Sequence, residues 1–275
     1  MVKTMQTQAP LFDRPLLRRH RERAARRGDP DARFLLHAAL EDLLDRLADM
    51  RREFPVAVDL GAHGDALATA LDGRCGIRSL ISIAPSPALA ALCPKPAIVA
   101  EEDSLPLADA SADLVLSCLS LHWIDDLPGL FANVLRVLKP GGLFLAVMPG
   151  EETLRELRDS LARAELEIEG GVSPRVLPML TIKDGGALLQ RAGFAEPVVD
   201  RDRLTVDYAD PLSLMADLRA MGETNALTER RKTPLKRTTL AAALAAYAET
   251  YANDDGRVVA TFDLVTLTAW KPDSR

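Results

Sequence analysis

Cysteine, histidine and aromatic residues are all scarce in this chain. Three cysteines, Cys75, Cys93 and Cys118, stand among 275 residues, with no C-x-x-C spacing and no evident histidine partner. That argues against a disulfide framework or a zinc site and for a reducing compartment. The four histidines, His20, His37, His63 and His122, are too scattered to suggest a two-histidine, one-carboxylate iron site, so no metal is expected. A basic excess is missing too. The net charge of −6 speaks against a general nucleic-acid face, and no nucleic-acid partner is expected. No apolar run approaches the roughly 20 residues of a membrane span, so no transmembrane segment is expected. The N-terminus has no apolar core of a secretory signal.

What the chain does have is hydrophobic material, 48% of its residues, and enough length for one large α/β domain or one domain with an inserted lid. Charge is unevenly spread. Residues 13–27 hold Arg14, Arg18, Arg19, Arg21, Arg23, Arg26 and Arg27 against only Asp13 and Glu22. A transit peptide, a basic helix for anionic lipid or a partner, and a solvated helix face backed by Phe12, Leu16 and Leu17 all fit. The solvated face is the preferred expectation.

The organising stretch is 55–71. An apolar run from Val56 to Val58 ends in Asp59, a turn with Gly61 and Gly64 follows, and a helix-forming run begins at Ala66. Glycine lets the backbone approach a ligand, and backbone N–H groups beyond it favour an anion. Before this stretch, residues 1–10 read as a disordered leader, and helices are expected over 13–27 and 31–52. After it, strands are expected at 79–84, 97–100, 112–118 and 143–148, with helices at 88–92 and 127–138 between them. The second half reads as helices at 152–169, 182–192, 212–221 and 239–252, with strands at 197–206 and 258–270. This alternation implies a doubly wound sheet whose ligands sit outside the carboxyl ends of the parallel strands. Residues 59–65, 84–86, 101–103 and 117–123 are therefore expected to line one crevice.

That order of elements resembles the class I S-adenosylmethionine-dependent methyltransferases. The likeness is carried by Leu105-Pro106-Leu107, Ala112-Asp113-Leu114-Val115, Leu121-His122-Trp123 and Leu138-Lys139-Pro140-Gly141-Gly142. Further stretches are similar to the methyltransferase-like assembly factor family of respiratory complex I and its bacterial relatives. These are Phe12-Asp13-Arg14, Leu119-Ser120-Leu121-His122-Trp123, Asp126-Leu127-Pro128, Gly170-Gly171-Val172-Ser173-Pro174, Arg191-Ala192-Gly193-Phe194 and Met221-Gly222-Glu223-Thr224-Asn225. The malonyl-carrier-protein methyltransferases of biotin synthesis are similar as well, mainly in the cofactor-binding half. The resemblance implies a Rossmann-like seven-stranded α/β sheet with its last strand antiparallel, N-terminal helices, and helical insertions in the C-terminal half. It implies residues 1–52 as leader and helices packing on the core, and 53–271 as the methyltransferase-like domain, with lid or substrate segments near 151–180 and 211–253.

Carried over residue by residue, the resemblance places S-adenosyl-L-methionine against Asp59, Gly61, His63, Gly64, Ser86, Glu101, Glu102, Ser117 and Leu119. Two departures stand out. The family's G-x-G-x-G turn here reads Gly61-Ala62-His63-Gly64-Asp65, and the acid that grips the ribose at the end of strand two is Ala84. No Asp or Glu occurs between Asp72 and Glu101, so no shift of register restores it. Losing a charge-assisted hydrogen bond costs about 1.5–3 kcal/mol, so weakened cofactor binding is expected. His122, Glu223 and Asn225 are the catalytic or substrate-side candidates; a packed histidine and a polar helix-ending turn are the plainer alternatives for them.

Three functions follow from the resemblance. The first is methyl transfer to a protein substrate. The second is arginine hydroxylation of a complex I subunit, the activity understood for the assembly factor. The third is a non-catalytic assembly factor with an eroded cofactor site. The resemblance begins so near Met1 that a bacterial cytoplasmic protein without a removable leader is expected, with the mitochondrial matrix as the alternative.

Overall fold

The computed structural model describes residues 9–273; residues 1–8 of the expected leader lie outside the described residues. Seven strands form one sheet in the order β3-β2-β1-β4-β5-β7-β6. They are β1 (Val56–Leu60), β2 (Ser79–Ala84), β3 (Ala97–Val99), β4 (Ala112–Cys118), β5 (Leu138–Pro149), β6 (Ala195–Tyr208) and β7 (Val258–Trp270). The first five pair in parallel, and β7 runs antiparallel to both β5 and β6. The strand order reverses between β1 and β4, and such a switch point opens a crevice at the strands' carboxyl ends.

Helices cover both faces. In chain order they are α1 (Arg14–Arg27), α2 (Phe34–Asp49), α3 (Ala66–Ala70), α4 (Pro87–Ala90), α5 (Leu127–Val137), α6 (Arg155–Glu169), α7 (Ile182–Ala192), α8 (Pro211–Met221) and α9 (Arg237–Tyr251). The central strands are buried on both sides, as continuous apolar runs such as Leu114 to Leu116 and Leu143 to Val147 require. One side packs against α2, α6 and α9 through Leu43, Leu47, Leu157 and Tyr247. The other packs against α5 and α7 through Leu130, Phe131, Val134 and Leu189.

Several boundaries differ from the sequence expectation, each for a local reason. The second helix is preceded by a short 3-10 turn at Asp31–Arg33 and ends at Asp49 rather than 52. The helix expected from 152 starts at Arg155, because Leu154 takes a left-handed φ of 56° and turns the chain first. The fifth strand starts at Leu138 rather than 143. Lys139 to Gly142 does stop the helix, but the segment is sewn to the C-terminal strand by Gly141 N–H to Lys271 O and Lys271 N–H to Gly142 O. The basic N-terminal segment is not a solvated face. Leu17, His20 and Arg21 are all buried on α1, which packs against α4 and α8.

Candidate functional site

The tripeptide Phe12-Asp13-Arg14 fixes α1 across the carboxyl end of the sheet. Phe12 bridges to Leu227 and meets Trp123 edge to face at 5.3 Å. Asp13 caps α1 by accepting from the Leu16 N–H, and accepts a bond from Arg230. A carboxylate there satisfies a donor that the helix leaves open. Arg14 donates to the Trp123 carbonyl at 2.9 Å and to Glu102 at 2.8 Å, and also reaches Glu101.

Glu102 is 1% exposed and is held by Arg14, by Arg21 at 3.2 Å and by the Ser120 hydroxyl at 3.3 Å. Burial pushes its carboxyl up, but the Arg21 and Arg14 guanidiniums outweigh burial and hold it below the usual range. Glu101 is likewise engaged, by Arg14 and at 3.7 Å by Arg18. Glu102 is enclosed by these donors, whereas the Glu101 side chain is 34% exposed. Residues 84–86 and 101–103 do not line the cavity that opens beyond β1 and β4. On their side, Ala25 of α1 packs against a cluster of Ala62, Ala84, Leu89, Ala90 and Cys93, and Ala84 is fully buried.

Other residues expected at the cofactor are buried. Ser86 caps α4 by accepting from the Leu89 N–H, and the Ser117 hydroxyl donates to the Leu60 carbonyl inside the sheet. Asp59 is buried with Oδ2 unpartnered, and burial pushes its carboxyl up to about 7. Gly61 stands with φ 78°, and a Cβ there would fall 1.8 Å from the Ser120 Oγ, so its bare face is covered by the loop after β4.

What remains open is a cavity of about 300 Å³ under α1, lined by Arg21, His63, Gly64, Asp65, Leu119, His122 and Glu223, among others. A second cavity of about 350 Å³ adjoins it, walled mostly by apolar side chains of α6, α8 and the 175–179 loop. His122, Glu223, Leu35, Pro149 and Met221 belong to both walls. Each cavity also has a leucine in left-handed backbone, Leu119 at φ 49° and Leu154 at φ 56°. Such strain in non-glycine residues gathers where a structure holds a working surface.

The shared wall is a hydrogen-bonded set. Leu121–Trp123 forms a 3-10 turn that aims two neighbouring rings at one carboxylate. The Glu223 Oε2 lies 2.8 Å from both His122 Nε2 and Trp123 Nε1. Burial raises the Glu223 carboxyl, but His122, Arg21 and the two hydrogen bonds prevail and hold it down at about 2. An ionised Glu223 can only accept. Nε2 is the His122 nitrogen that faces this acceptor, and Nδ1, on the other side of the ring, is buried with no partner. His63 is neutral in the same cavity, pushed down to about 4 by burial and by Arg21, with its Nε2 unpartnered.

Asn225 lines the second cavity, but its side chain is occupied. It donates to the Pro174 carbonyl and accepts from the Leu227 N–H, tying the Met221 to Asn225 turn to the Gly170 to Pro174 loop. Arg21 had no individual role in the sequence reading. Its signal was there: Arg14, Leu17 and Arg21 stand at helical spacing, so one arginine face accompanies the buried leucine. Among the described residues no three His, Cys, Asp or Glu side chains converge as a metal set.

Comparison with known proteins follows the same lines. Residues 58–146 match a family model described as a methyltransferase domain. The chain is 41% identical over 266 residues to the mouse protein named arginine-hydroxylase NDUFAF5, mitochondrial, covering 95% of this chain and 77% of that one. It is 36% identical over 273 residues to the malonyl-acyl-carrier-protein O-methyltransferase of Xylella fastidiosa, covering 96% and 90%. The solved structure of the YcgJ protein of Bacillus subtilis superposes with a TM-score of 0.59 at 15% identity, covering 86% of this chain and all of the other, a likeness of fold.

Proposed function

Because the chain belongs to the S-adenosylmethionine-dependent methyltransferase superfamily, and within it to the family that holds arginine-hydroxylase NDUFAF5 and malonyl-acyl-carrier-protein O-methyltransferase, we propose that it modifies a protein substrate with S-adenosylmethionine as cofactor. The carrying observation is the His122–Glu223 pair standing in the common wall of two cavities, one beside the glycine turn after β1 and one apolar. The first would hold the cofactor and the second would admit the acceptor side chain.

The fit of the cofactor rests on unpartnered buried atoms. Arg21 Nε and Nη2, His63 Nε2 and His122 Nδ1 belong to residues lining the first cavity and have no protein partner. Polar atoms left so usually await a ligand or water. Gly64, at φ 71°, keeps the turn clear of side chain at the cavity wall.

When bound, the cofactor supplies an electrophilic methyl group on a sulfonium. The chain supplies the rest. His122 Nδ1 receives the proton that the acceptor N–H or O–H gives up, and ionised Glu223 steadies the positive ring that results. Trp123 shares the Glu223 oxygen and fixes its position. Leu35, Pro149 and Met221 line both cavities and give the junction an apolar surround. The family likeness directs the proposal to a subunit of respiratory complex I as substrate, in a bacterial cytoplasm, with the mitochondrial matrix as the alternative setting.

A second reading has its own observation. Ala84 is fully buried where the family's ribose acid would stand, beneath a cluster that α1 helps to close. This favours a chain that keeps the fold and assists assembly without chemistry. Mass spectrometry of the complex I subunits from a deletion strain, complemented with wild type or His122→Ala, separates these. A methyl group restored by wild type and not by the variant supports the proposal. A restored oxygen points to the hydroxylase activity named for the relatives. Unmodified subunits in every strain overturn it in favour of the second reading.

A further inference from the structure

Two stretches hold the spare positive charge of this chain. Residues 13–27 and 228–237 carry twelve of the 34 lysines and arginines against three of the 40 acids, so the rest of the chain is strongly acidic. The fold brings the two stretches together. The Asp13 N–H donates to the Ala226 carbonyl and the Thr228 N–H to the Leu11 carbonyl, each at 2.8 Å, and Arg230 donates to Asp13 at 3.0 Å. His20 feels both sides: burial first, then the charges of Arg23, Arg230 and Arg19, push its ring down.

Part of this charge is answered within the chain. Arg14 and Arg21 meet Glu102, Arg231 and Lys236 meet Glu169, and Arg26 and Arg27 reach Glu22 and Asp29. Arg19, Arg23, Lys232 and Arg237 have no ion-pair partner among the described residues. Arg19, Lys232 and Arg237 are exposed, and Arg23 is half-buried. Cations gathered so repel one another and attract an anionic partner.

Their place in the fold says which partner. The 224–240 segment walls the second cavity through Thr224, Asn225, Leu235 and Leu240, while Lys232 and Arg237 of the same segment stand at the surface. Whatever docks there lies beside the cavity proposed for the acceptor side chain. A bilayer fits less well. A helix lying in a membrane interface exposes apolar side chains among its cations. Here Leu17 is buried, and Leu16 and Leu235 are half-buried.

We infer that this basic surface docks an acidic segment of the protein substrate. The inference rests on the reading above and deepens it, adding the charge of the substrate to its class. The acidic segment is held outside while the target side chain enters the apolar cavity. Attraction of this kind speeds encounter and weakens as salt is added.

A charge reversal tests it. The surface variant combines Arg19→Glu, Arg23→Glu, Lys232→Glu and Arg237→Glu. The control variant combines Arg74→Glu, Lys183→Glu, Arg191→Glu and Arg203→Glu, four exposed cations elsewhere, with the same change in net charge. Fluorescence anisotropy at low salt with a labelled oligoglutamate peptide should show binding to wild type and control, and binding at least tenfold weaker to the surface variant. In the deletion strain, wild type and control should restore the subunit modification, and the surface variant should restore less than a tenth of it. Thermal melting of the purified variants identifies loss of fold; if the surface variant melts early, the same four positions changed to glutamine are used, with the same direction expected. Equal peptide binding by both variants overturns the inference, and so does full modification by the surface variant; either leaves the reading of the enzyme in place. A surface variant that modifies the subunit fully yet loses binding to phosphatidylglycerol vesicles overturns it in favour of a membrane. Subunits left unmodified by wild type overturn the reading and the inference with it.

Discussion

Single residues in the crevice are constrained in ways that make sharp expectations. Gly61 combines a left-handed φ of 78° with a space already taken by Ser120, whose Oγ and Cβ would lie 1.8 and 2.5 Å from an added Cβ. Gly61→Ala should destabilise the fold by about 1–3 kcal/mol in chemical denaturation. Ser120→Ala should not rescue it, since the Ser120 Cβ remains in the way. Asp59 gives a pH signature. Its carboxyl is pushed by burial from 3.8 to about 7, so the folded state holds a proton that the unfolded state releases across that range. The contribution is present below pH 3.8 and is lost as pH rises through 7. Asp59→Asn should therefore match wild type near pH 4 and be more stable at pH 8, by up to about 4 kcal/mol at 1.4 kcal/mol per pKa unit. A variant with the same offset at both pH values would mean that Asp59 is not held protonated.

At the scale of elements, α1 decides how the crevice is furnished. Its capping Asp13, its Leu17 and its Arg14 and Arg21 tie it to the 226–230 segment, to the acids after β3 and to the loop after β4. Removing one partner of a buried charge network strands the others, which costs about 3–5 kcal/mol. Arg14→Met should reduce stability by about 3 kcal/mol, since Arg21 still answers Glu102. Hydrogen exchange should rise first over Arg14–Arg27, while amides of β1 and β4 keep their protection. Uniform acceleration across the sheet would show that α1 is not the separable cover described.

For the whole molecule, the sheet was readable because its signals are local. Apolar runs such as 112–118 and 258–270 end in recognisable turns, and their alternation with helices dictates parallel crossovers. The left-handed turn at Leu154 was not readable, because nothing in its side chain favours that backbone. The site was half legible. Of the stretches that spacing pointed to, residues 62–65, Leu119 and His122 line the cavity. The acids after β3 are consumed by arginines far back in the sequence, a pairing that depends on how α1 lies over the sheet and not on any spacing near Glu102. The same packing buries Ala84, so the likeness to the methyltransferases is complete in the order of strands and incomplete at the nucleoside end. Calorimetric titration of the purified chain with S-adenosylmethionine is the most direct measurement of the central claim. The account predicts saturable binding at one site per chain in the micromolar range, weakened by Glu223→Gln. A flat trace at millimolar ligand would contradict it.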